Sequence, residues 1–518
     1  MKKNITRLLT WIAIWSAGIL MGMPAAGAQK PGGKLNVIFI LSDDHRYDFM
    51  GFTGKVPGLE TPNMDKMARE GAHCPNAFVT TSLCSPSRAS ILTGLYSHVH
   101  KVVDNDAPAD SSLVYFPAYL QKGGYQTAFV GKWHMGHGDD EPRPGFDHWV
   151  SFKGQGQYYN PTLNVDGKQV VYGDSAYITD VLTHHALDWL QNRKKEKPFF
   201  LYLSHKAVHA EFLPSPRHRG RYAGQPINYP PTMYPPETEP FNYKSVTAPV
   251  PTQAVLAKAR RTPYRYESVP NWVKAQRGSW HGVDYMYNGD IAFDDFYRRY
   301  LETLLGIDES IGQVLDYLRA NDLLKNTVVF YMGDNGFSFG EHGLIDKRHA
   351  YEESMKVPLL VYGPGIVKAA PVKELIQNID IAPTILDIAG VPIPSYLQGR
   401  SFFPLLQGKK VDDWRKMIFY EYYWERPFPQ TPSMHAVRTD RYKFIRYQGI
   451  WDTNEFFDLE ADPWEANNLI ADPAYQDKIK EMNQALFDWL EKTKGLAIPL
   501  KPTLYPRPGA DWKYGNSY

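Results

Sequence analysis

Cysteine is nearly absent from this chain: 518 residues carry two, Cys74 and Cys84. A fold stapled by several disulfides is thereby excluded, and at most one bridge could form. An excess of one charge is also missing, with 57 Lys and Arg against 56 Asp and Glu. No field for a polyanion such as nucleic acid is written into that balance, so an anionic ligand must be met by a local pocket. Long apolar runs are scarce as well. The one stretch of this kind, Leu8 to Met23, follows Lys2, Lys3 and Arg7 and precedes the small residues Ala26-Gly27-Ala28. This order predicts a cleaved signal peptide over residues 1–28 and an exported protein, periplasmic or secreted, with an uncleaved anchor as the rival reading. No other segment is long and apolar enough to span a bilayer, so no membrane anchor is expected after cleavage. There is no internal repeat.

What is present fits a large folded protein. Hydrophobic residues make up 43% and charged residues 22% of the chain, which excludes wholesale disorder. Aromatics reach 14%, a composition that serves sugar-stacking surfaces and core packing equally. Continuous apolar runs at 35–41, 126–130, 198–204, 327–332 and 357–361 read as strands buried on both faces of a parallel sheet. Helical patterns at 63–70, 87–92, 116–122, 176–192, 296–321 and 380–389 lie between them. The alternation predicts an α/β fold with a large, mostly parallel sheet sandwiched by helices. From about 401 the pattern changes to short strands at 418–423, 433–439, 442–447 and 455–458, then a helix at 474–494. The expected division is a main domain over 29–400 and a smaller C-terminal α+β subdomain with an antiparallel sheet over 401–518. A proline-rich stretch at 212–280 breaks the alternation and reads as a binding loop or mobile segment.

Polar residues gather just after the strands, at Asp43-Asp44, Lys132-Trp133-His134, His209 and Asp334-Asn335. The crevice beyond the carboxyl ends of the strands is the usual ligand site in open α/β sheets. Asp43, Asp44, Asp334 and Asn335 offer hard oxygen ligands, suited to Ca²⁺ or Mg²⁺ rather than zinc. The run from Cys84 to Gly94, Cys-Ser-Pro-Ser-Arg-Ala-Ser-Ile-Leu-Thr-Gly, predicts a helix with Ser85 as N-cap and Pro86 in the first turn. Cys84 at a helix N-terminus with Arg88 one turn on reads as an activated thiol beside an anion site. A buried structural thiol with Arg88 in a salt bridge fits the same residues.

Cys84-x-Pro86-x-Arg88 followed by Ala89-Ser90-Ile91-Leu92-Thr93-Gly94 resembles the signature of the formylglycine-dependent sulfatases of the alkaline-phosphatase-like superfamily, and the other family motifs follow in the expected order. The resemblance implies that a separate maturing enzyme converts Cys84 to Cα-formylglycine, whose hydrate is the nucleophile, which leaves no thiol for a disulfide. It implies Asp43, Asp44, Asp334 and Asn335 as ligands of a metal, calcium or alternatively magnesium, with residue 84 completing the shell. Lys132, His134, Arg88, His209 and Lys347 match the family's catalytic and sulfate-holding residues, with His209 the general acid to the leaving hydroxyl. Val208 stands where relatives usually have Pro. The stretches 158–167 and 347–364 are most similar to N-acetylglucosamine-6-sulfatases, which implies a 6-O-sulfated N-acetylglucosamine substrate, with His435, Arg438 and Trp424 as candidate sugar contacts. The alternatives are a sulfatase for uronate 2-O-sulfate, N-acetylgalactosamine sulfate or N-sulfoglucosamine, a phosphonate or phosphate ester hydrolase of the same superfamily, and an inactive protein that binds sulfated glycans.

Overall fold

The structure, a computed structural model, describes residues 33–136, 138–234, 264–449 and 452–499. The expected signal peptide and the middle of the proline-rich insertion lie outside them. The longer strands of the main sheet, in chain order, are β1 (Asn36–Ser42), β2 (Gln126–Gly131), β3 (His148–Ser151), β4 (Thr162–Val165), β5 (Lys168–Val171), β6 (Phe199–Ser204), β7 (Thr327–Gly333) and β8 (Leu359–Tyr362). They run in the order β8-β7-β1-β6-β2-β3-β4-β5, and two short strands, Ala72–His73 and Ala370–Pro371, continue the sheet beyond β8. The centre, β7-β1-β6-β2-β3, is parallel, while β8 and the β4-β5 hairpin pair antiparallel at the flanks.

The continuous apolar runs have the cause expected of them. In β1, Val37, Phe39 and Leu41 enter one hydrophobic core, and Ile38 and Ile40 the other. Both faces are covered, so both parities along the strand must be apolar. One face is closed by α1 (Pro62–Glu70), α3 (Ile178–Asn192) and the long α4 (Phe293–Ala320). The other holds α2 (Cys84–Thr93) and α5 (Ile381–Ile388). Every residue of α2 is buried although half of them are polar. The hydroxyls are satisfied inside: Ser87 accepts from Asn378 Nδ2 at 2.9 Å, Ser90 meets His100 Nε2 at 3.1 Å, and Thr93 donates to the Ala89 carbonyl at 2.6 Å.

Beyond the main sheet, β9 (Ile418–Tyr422), β10 (Ser433–Arg438), β11 (Tyr442–Gln448) and β12 (Glu455–Asp458) form a four-stranded antiparallel sheet, covered on one face by α6 (Gln476–Thr493). The short strands β3, β4 and β5 are absent from the sequence reading. Their four residues each, His-Trp-Val-Ser, Thr-Leu-Asn-Val and Lys-Gln-Val-Val, carry no continuous apolar run. Cys74 and Cys84 are both buried free thiols, so the one disulfide the sequence allowed does not form.

The end of β2 shows how tightly the sheet is closed beneath the polar residues. Gly131 has φ +129°, and a Cβ there would stand 1.7 Å from the Ser204 carbonyl oxygen, which accepts from the Lys132 N–H at 2.8 Å. Gly131→Ala is therefore expected to prise β2 from β6 and to cost about 3 kcal/mol or more. Denaturant unfolding of the variant checks this, and wild-type stability would contradict it.

Candidate active site

Two adjacent strands deliver the carboxylates. Asp43 and Asp44 follow Ser42 at the end of β1, and Asp334 and Asn335 follow Gly333 at the end of β7. The loops are stitched together by backbone bonds: Asp334 N–H donates to the Ser42 carbonyl at 2.9 Å, and Asp44 N–H to Asp334 Oδ1 at 3.0 Å. From the other side Asp43 N–H donates to the Ala207 carbonyl, and Val208 N–H to the Asp43 carbonyl, each at 2.9 Å. Carboxylate oxygens of Asp43, Asp44 and Asp334 all lie within 4.8 Å of one another.

Cations enclose them. Arg88, from α2, donates through Nε to Asp334 Oδ2 at 2.9 Å and lies 3.6 Å from Asp43 through a terminal nitrogen. Its other terminal nitrogen donates to the Lys132 carbonyl at 2.8 Å and to Ser204 Oγ at 2.6 Å. Lys132 Nζ binds Asp43 and Gln155 Oε1. Lys347 Nζ donates to Asp44 Oδ2 at 2.7 Å. Cys84 Sγ sits 3.3 Å from Asp43 Oδ1, and Asp43, Cys84 and His209 offer ligand atoms within 4.8 Å of one another. His209 places Nε2 3.9 Å from Asp44, its Nδ1–H is bonded to the Ala210 carbonyl, and Tyr158 donates to the His209 carbonyl at 2.6 Å. His134 is held at the start of α2, where Ser85 donates to its carbonyl.

Burial sets the electrostatics. It raises Asp43, but Lys132, His209, Arg88 and Lys347 outweigh it and hold that carboxyl well below its usual range. Burial lifts Asp44 to about 7 against Lys347, with Asp43 and Asp334 adding to the rise. Asp334 is lifted to about 6 by burial and by Asp43, against Arg88. Burial, Lys132 and Lys347 push the His209 imidazole well below its ordinary value. The Cys84 thiol is pushed up by burial and by Asp43. This corrects the expectation of an activated thiol: the residue is the first of α2, but its sulfur faces a carboxylate. The cap is also displaced. Leu83 is the N-cap residue, and Ser85 turns to the His134 backbone instead.

The donor set fits a hard divalent cation. Three carboxylates converge, and Asn335 Oδ1 is buried and accepts no hydrogen bond among the described residues, while its Nδ2 donates to Asp44 and to the Gly336 carbonyl. Asp44 at φ +52° and His134 at +50° hold left-handed backbone, as do Asp346 at +84° and Arg348 at +85° on either side of Lys347. Such backbone costs free energy and collects at functional sites.

The structure thus brings together Asp43, Asp44, Cys84, Arg88, Lys132, His134, His209, Asp334, Asn335 and Lys347. His435 and Arg438 do not join them. His435 packs against Tyr423 and Trp489 of α6, and Arg438 pairs with Glu352 at 2.9 Å over the Phe78 ring. Trp424 is half-exposed, with its indole N–H on the Pro429 carbonyl. Sequence reading gave no role in the site to Gln155, Ser204 or Tyr158. Gln155 carried a signal as a polar residue between two glycines, and Tyr158 opens the 158–167 stretch.

Known proteins are similar to this chain. The family model described as Sulfatase matches residues 35–391, and one described as the C-terminal region of N-sulphoglucosamine sulphohydrolase matches 340–492. An N-acetylglucosamine-6-O-sulfatase of Bacteroides thetaiotaomicron is 35% identical, over 94% of this chain and 91% of the relative. The N-acetylglucosamine-6-sulfatase of Homo sapiens is 32% identical, over 87% of this chain and 81% of the relative. A structure solved with its substrate D-glucosamine-2-N,6-O-disulfate superposes with a TM-score of 0.74 at 33% identity, over 89% of this chain and 98% of the other.

A divalent cation bound by the folded protein alone must stabilise it, by about 2.7 kcal/mol at a hundred-fold excess over its Kd. Thermal unfolding with the cation and with chelator should show that gain, and Asp44→Asn/Asp334→Asn should lose it. An equal gain in the double variant would place the cation elsewhere.

Proposed function

The chain belongs to the sulfatase family, and we propose that it removes the 6-O-sulfate of N-acetylglucosamine from glycans, as an exported enzyme using formylglycine made from Cys84 and a bound calcium ion. The observation that carries the sulfatase reading is the convergence at Cys84: one side chain, at the start of a fully buried helix, with Asp43 against its sulfur and Arg88, Lys132, His209 and Lys347 around it. The 6-O position is supported by the names of the relatives and by the 6-O-sulfate of the solved neighbour's substrate, and N-acetylglucosamine by the relatives' names, the neighbour's sugar being an N-sulfated glucosamine. A maturing enzyme must act on Cys84 before the helix is buried, since every residue of α2 is enclosed in the fold.

The chemistry required of the site is displacement at sulfur. Formylglycine made from Cys84 would supply, as its hydrate, one hydroxyl for attack on sulfur and a second for release of sulfate. Asp43, Asp44, Asp334 and Asn335 would hold a cation, which would supply positive charge to the site, calcium being favoured by a carboxylate-rich, adaptable donor set. Around them the chain's own residues divide the work. Arg88, fixed by bonds to Asp334, Ser204 and the Lys132 carbonyl, orients the start of α2 and holds positive charge against Asp43. Lys132 and Lys347 bring ammonium groups to the sulfuryl oxygens, where fixed charge counts most in a dry site. The His209 ring, oriented by the Ala210 carbonyl and with its loop fastened by Tyr158, keeps Nε2 towards the reacting group. Burial and then Lys132 and Lys347 depress this imidazole, and an arriving sulfate ester opposes the lysines and so raises its capacity to hand a proton to the leaving sugar oxygen. His134, anchored through Ser85, would accept a proton at residue 84 as sulfate is released.

Sulfate release from a panel tests the substrate. The 6-sulfate of N-acetylglucosamine should be preferred over 6-sulfated N-acetylgalactosamine, 2-sulfated uronate and N-sulfoglucosamine. Preference for either of the last two would overturn the sugar assignment and leave the sulfatase reading standing.

Cys84→Ala should lower turnover by ~10³-fold or more with circular dichroism unchanged, as expected when a nucleophile is removed. Mass spectrometry of the peptide spanning Cys84 should find formylglycine in the active preparation. Activity tracking unmodified cysteine would refute the nucleophile.

A further inference from the structure

Lys206 is a buried side chain that the proposed chemistry does not use. It lies in the loop after β6, three residues before His209, and its residue is 5% exposed. Its ammonium stands 4.7 Å from the centre of the Tyr158 ring, the ring whose hydroxyl holds the His209 carbonyl. Among the described residues no carboxylate, carbonyl or hydroxyl accepts a hydrogen bond from Nζ. Lys132 and Lys347 each have a carboxylate, and Arg88 has two. Lys206 alone of the cations at this crevice has only an aromatic face.

An ammonium taken from water without an acceptor is costly, and a ring face returns part of that cost. The burden is visible in its protonation: burial first, and then Lys132, pull the group down to about 7. Asp43, Asp44 and Cys84 are close enough to act on it in the opposite sense. A charge kept in such a place is explained if its acceptor arrives from outside. The three carboxylates are already matched by Arg88, Lys132 and Lys347, so the missing acceptor is the anion that the crevice receives. We propose that Lys206 is a further sulfate-binding residue, its ammonium donating to an oxygen of the sulfate ester when the crevice is filled. The inference rests on the sulfatase reading for its ligand and on the unpaired ammonium for its location.

Lys206→Met keeps the length and apolar stem and removes the charge. A lysine kept for substrate and a lysine kept for structure give opposite signs. With the calcium-loaded, formylglycine-bearing protein, Lys206→Met is expected to weaken binding of inorganic sulfate about ten-fold or more, the range of a lost charge-assisted hydrogen bond. The KM for 6-sulfated N-acetylglucosamine should rise in parallel. The Tm without sulfate should stay level or increase, because an unpaired buried charge has been removed. A lower Tm with unchanged affinity for inorganic sulfate would overturn the inference and make Lys206 a prop for Tyr158. Calorimetric titration with inorganic sulfate needs no turnover. If the wild-type protein releases no sulfate from any ester, the functional reading fails, while the comparison of sulfate affinities still judges Lys206.

Discussion

Asp43, Asp44 and Asp334 lie together out of reach of water, and buried charges of one sign persist only where cations stand against them. Arg88, Lys132 and Lys347 supply three, each from a different part of the chain: a helix, the end of β2 and the loop after β7. The arrangement is neutral in formal charge before any ligand enters, with Lys206 in addition. A divalent cation among the carboxylates then leaves the crevice positive, the sign that suits a sulfate ester. Net charge over the whole chain carries no trace of this, because the balance is struck within a few ångströms rather than over the surface.

That requirement explains why the site sits on strand ends. Parallel neighbours β7, β1, β6 and β2 finish at the same edge, and their closing residues are linked by main-chain bonds such as Asp334 N–H to the Ser42 carbonyl and Lys132 N–H to the Ser204 carbonyl. Side chains leaving such an edge converge without flexible linkers. Just beyond this edge Asp44 and His134 hold left-handed backbone. Strain of this kind is tolerable because both strands beneath are locked in register, and the Gly131 position, with no room for a Cβ, marks how close the strands approach.

The elements legible in the sequence were those with one dominant cause. Runs such as Val37 to Leu41 must be strands in a two-sided core, and the long amphipathic pattern from Phe296 onward is α4 with one extra turn at its start. The polar residues after strands were legible for the same reason, since little else puts Asp-Asp or Asp-Asn against a buried run. Where several weak forces compete, the reading failed. Ser85 has the chemistry of an N-cap, but its hydroxyl finds the His134 carbonyl, a partner remote in sequence. Cys84 was placed correctly at the helix start, and its protonation misread, because burial and then the nearby Asp43 push the thiol up. His435 and Arg438 occupy opposite faces of β10, one against α6 and one against Glu352, and that register was invisible before the pairing of β9 and β11 was known.

Arg438 nevertheless bears on the site through the segment that carries Lys347. Arg348 pairs with Glu425 at 3.0 Å, Glu352 meets Arg438 and Lys443 each at 2.9 Å, and Lys443 Nζ donates to the Ala350 carbonyl at 2.8 Å. Tyr351 donates to Glu455 at 2.9 Å. Four residues of this segment, Arg348, Ala350, Tyr351 and Glu352, are therefore tied to the antiparallel sheet or to the loop between its first two strands. Buried pairs of this kind contribute little net stability, since apolar replacements of the same shape are often as good. What they do supply is position: a lysine with four rotatable methylenes reaches Asp44 in one geometry only if its backbone is fixed on both sides. The C-terminal sheet thus acts on the anion site without contributing a ligand to it, by holding Asp346 to Glu352 rigid against the strand ends.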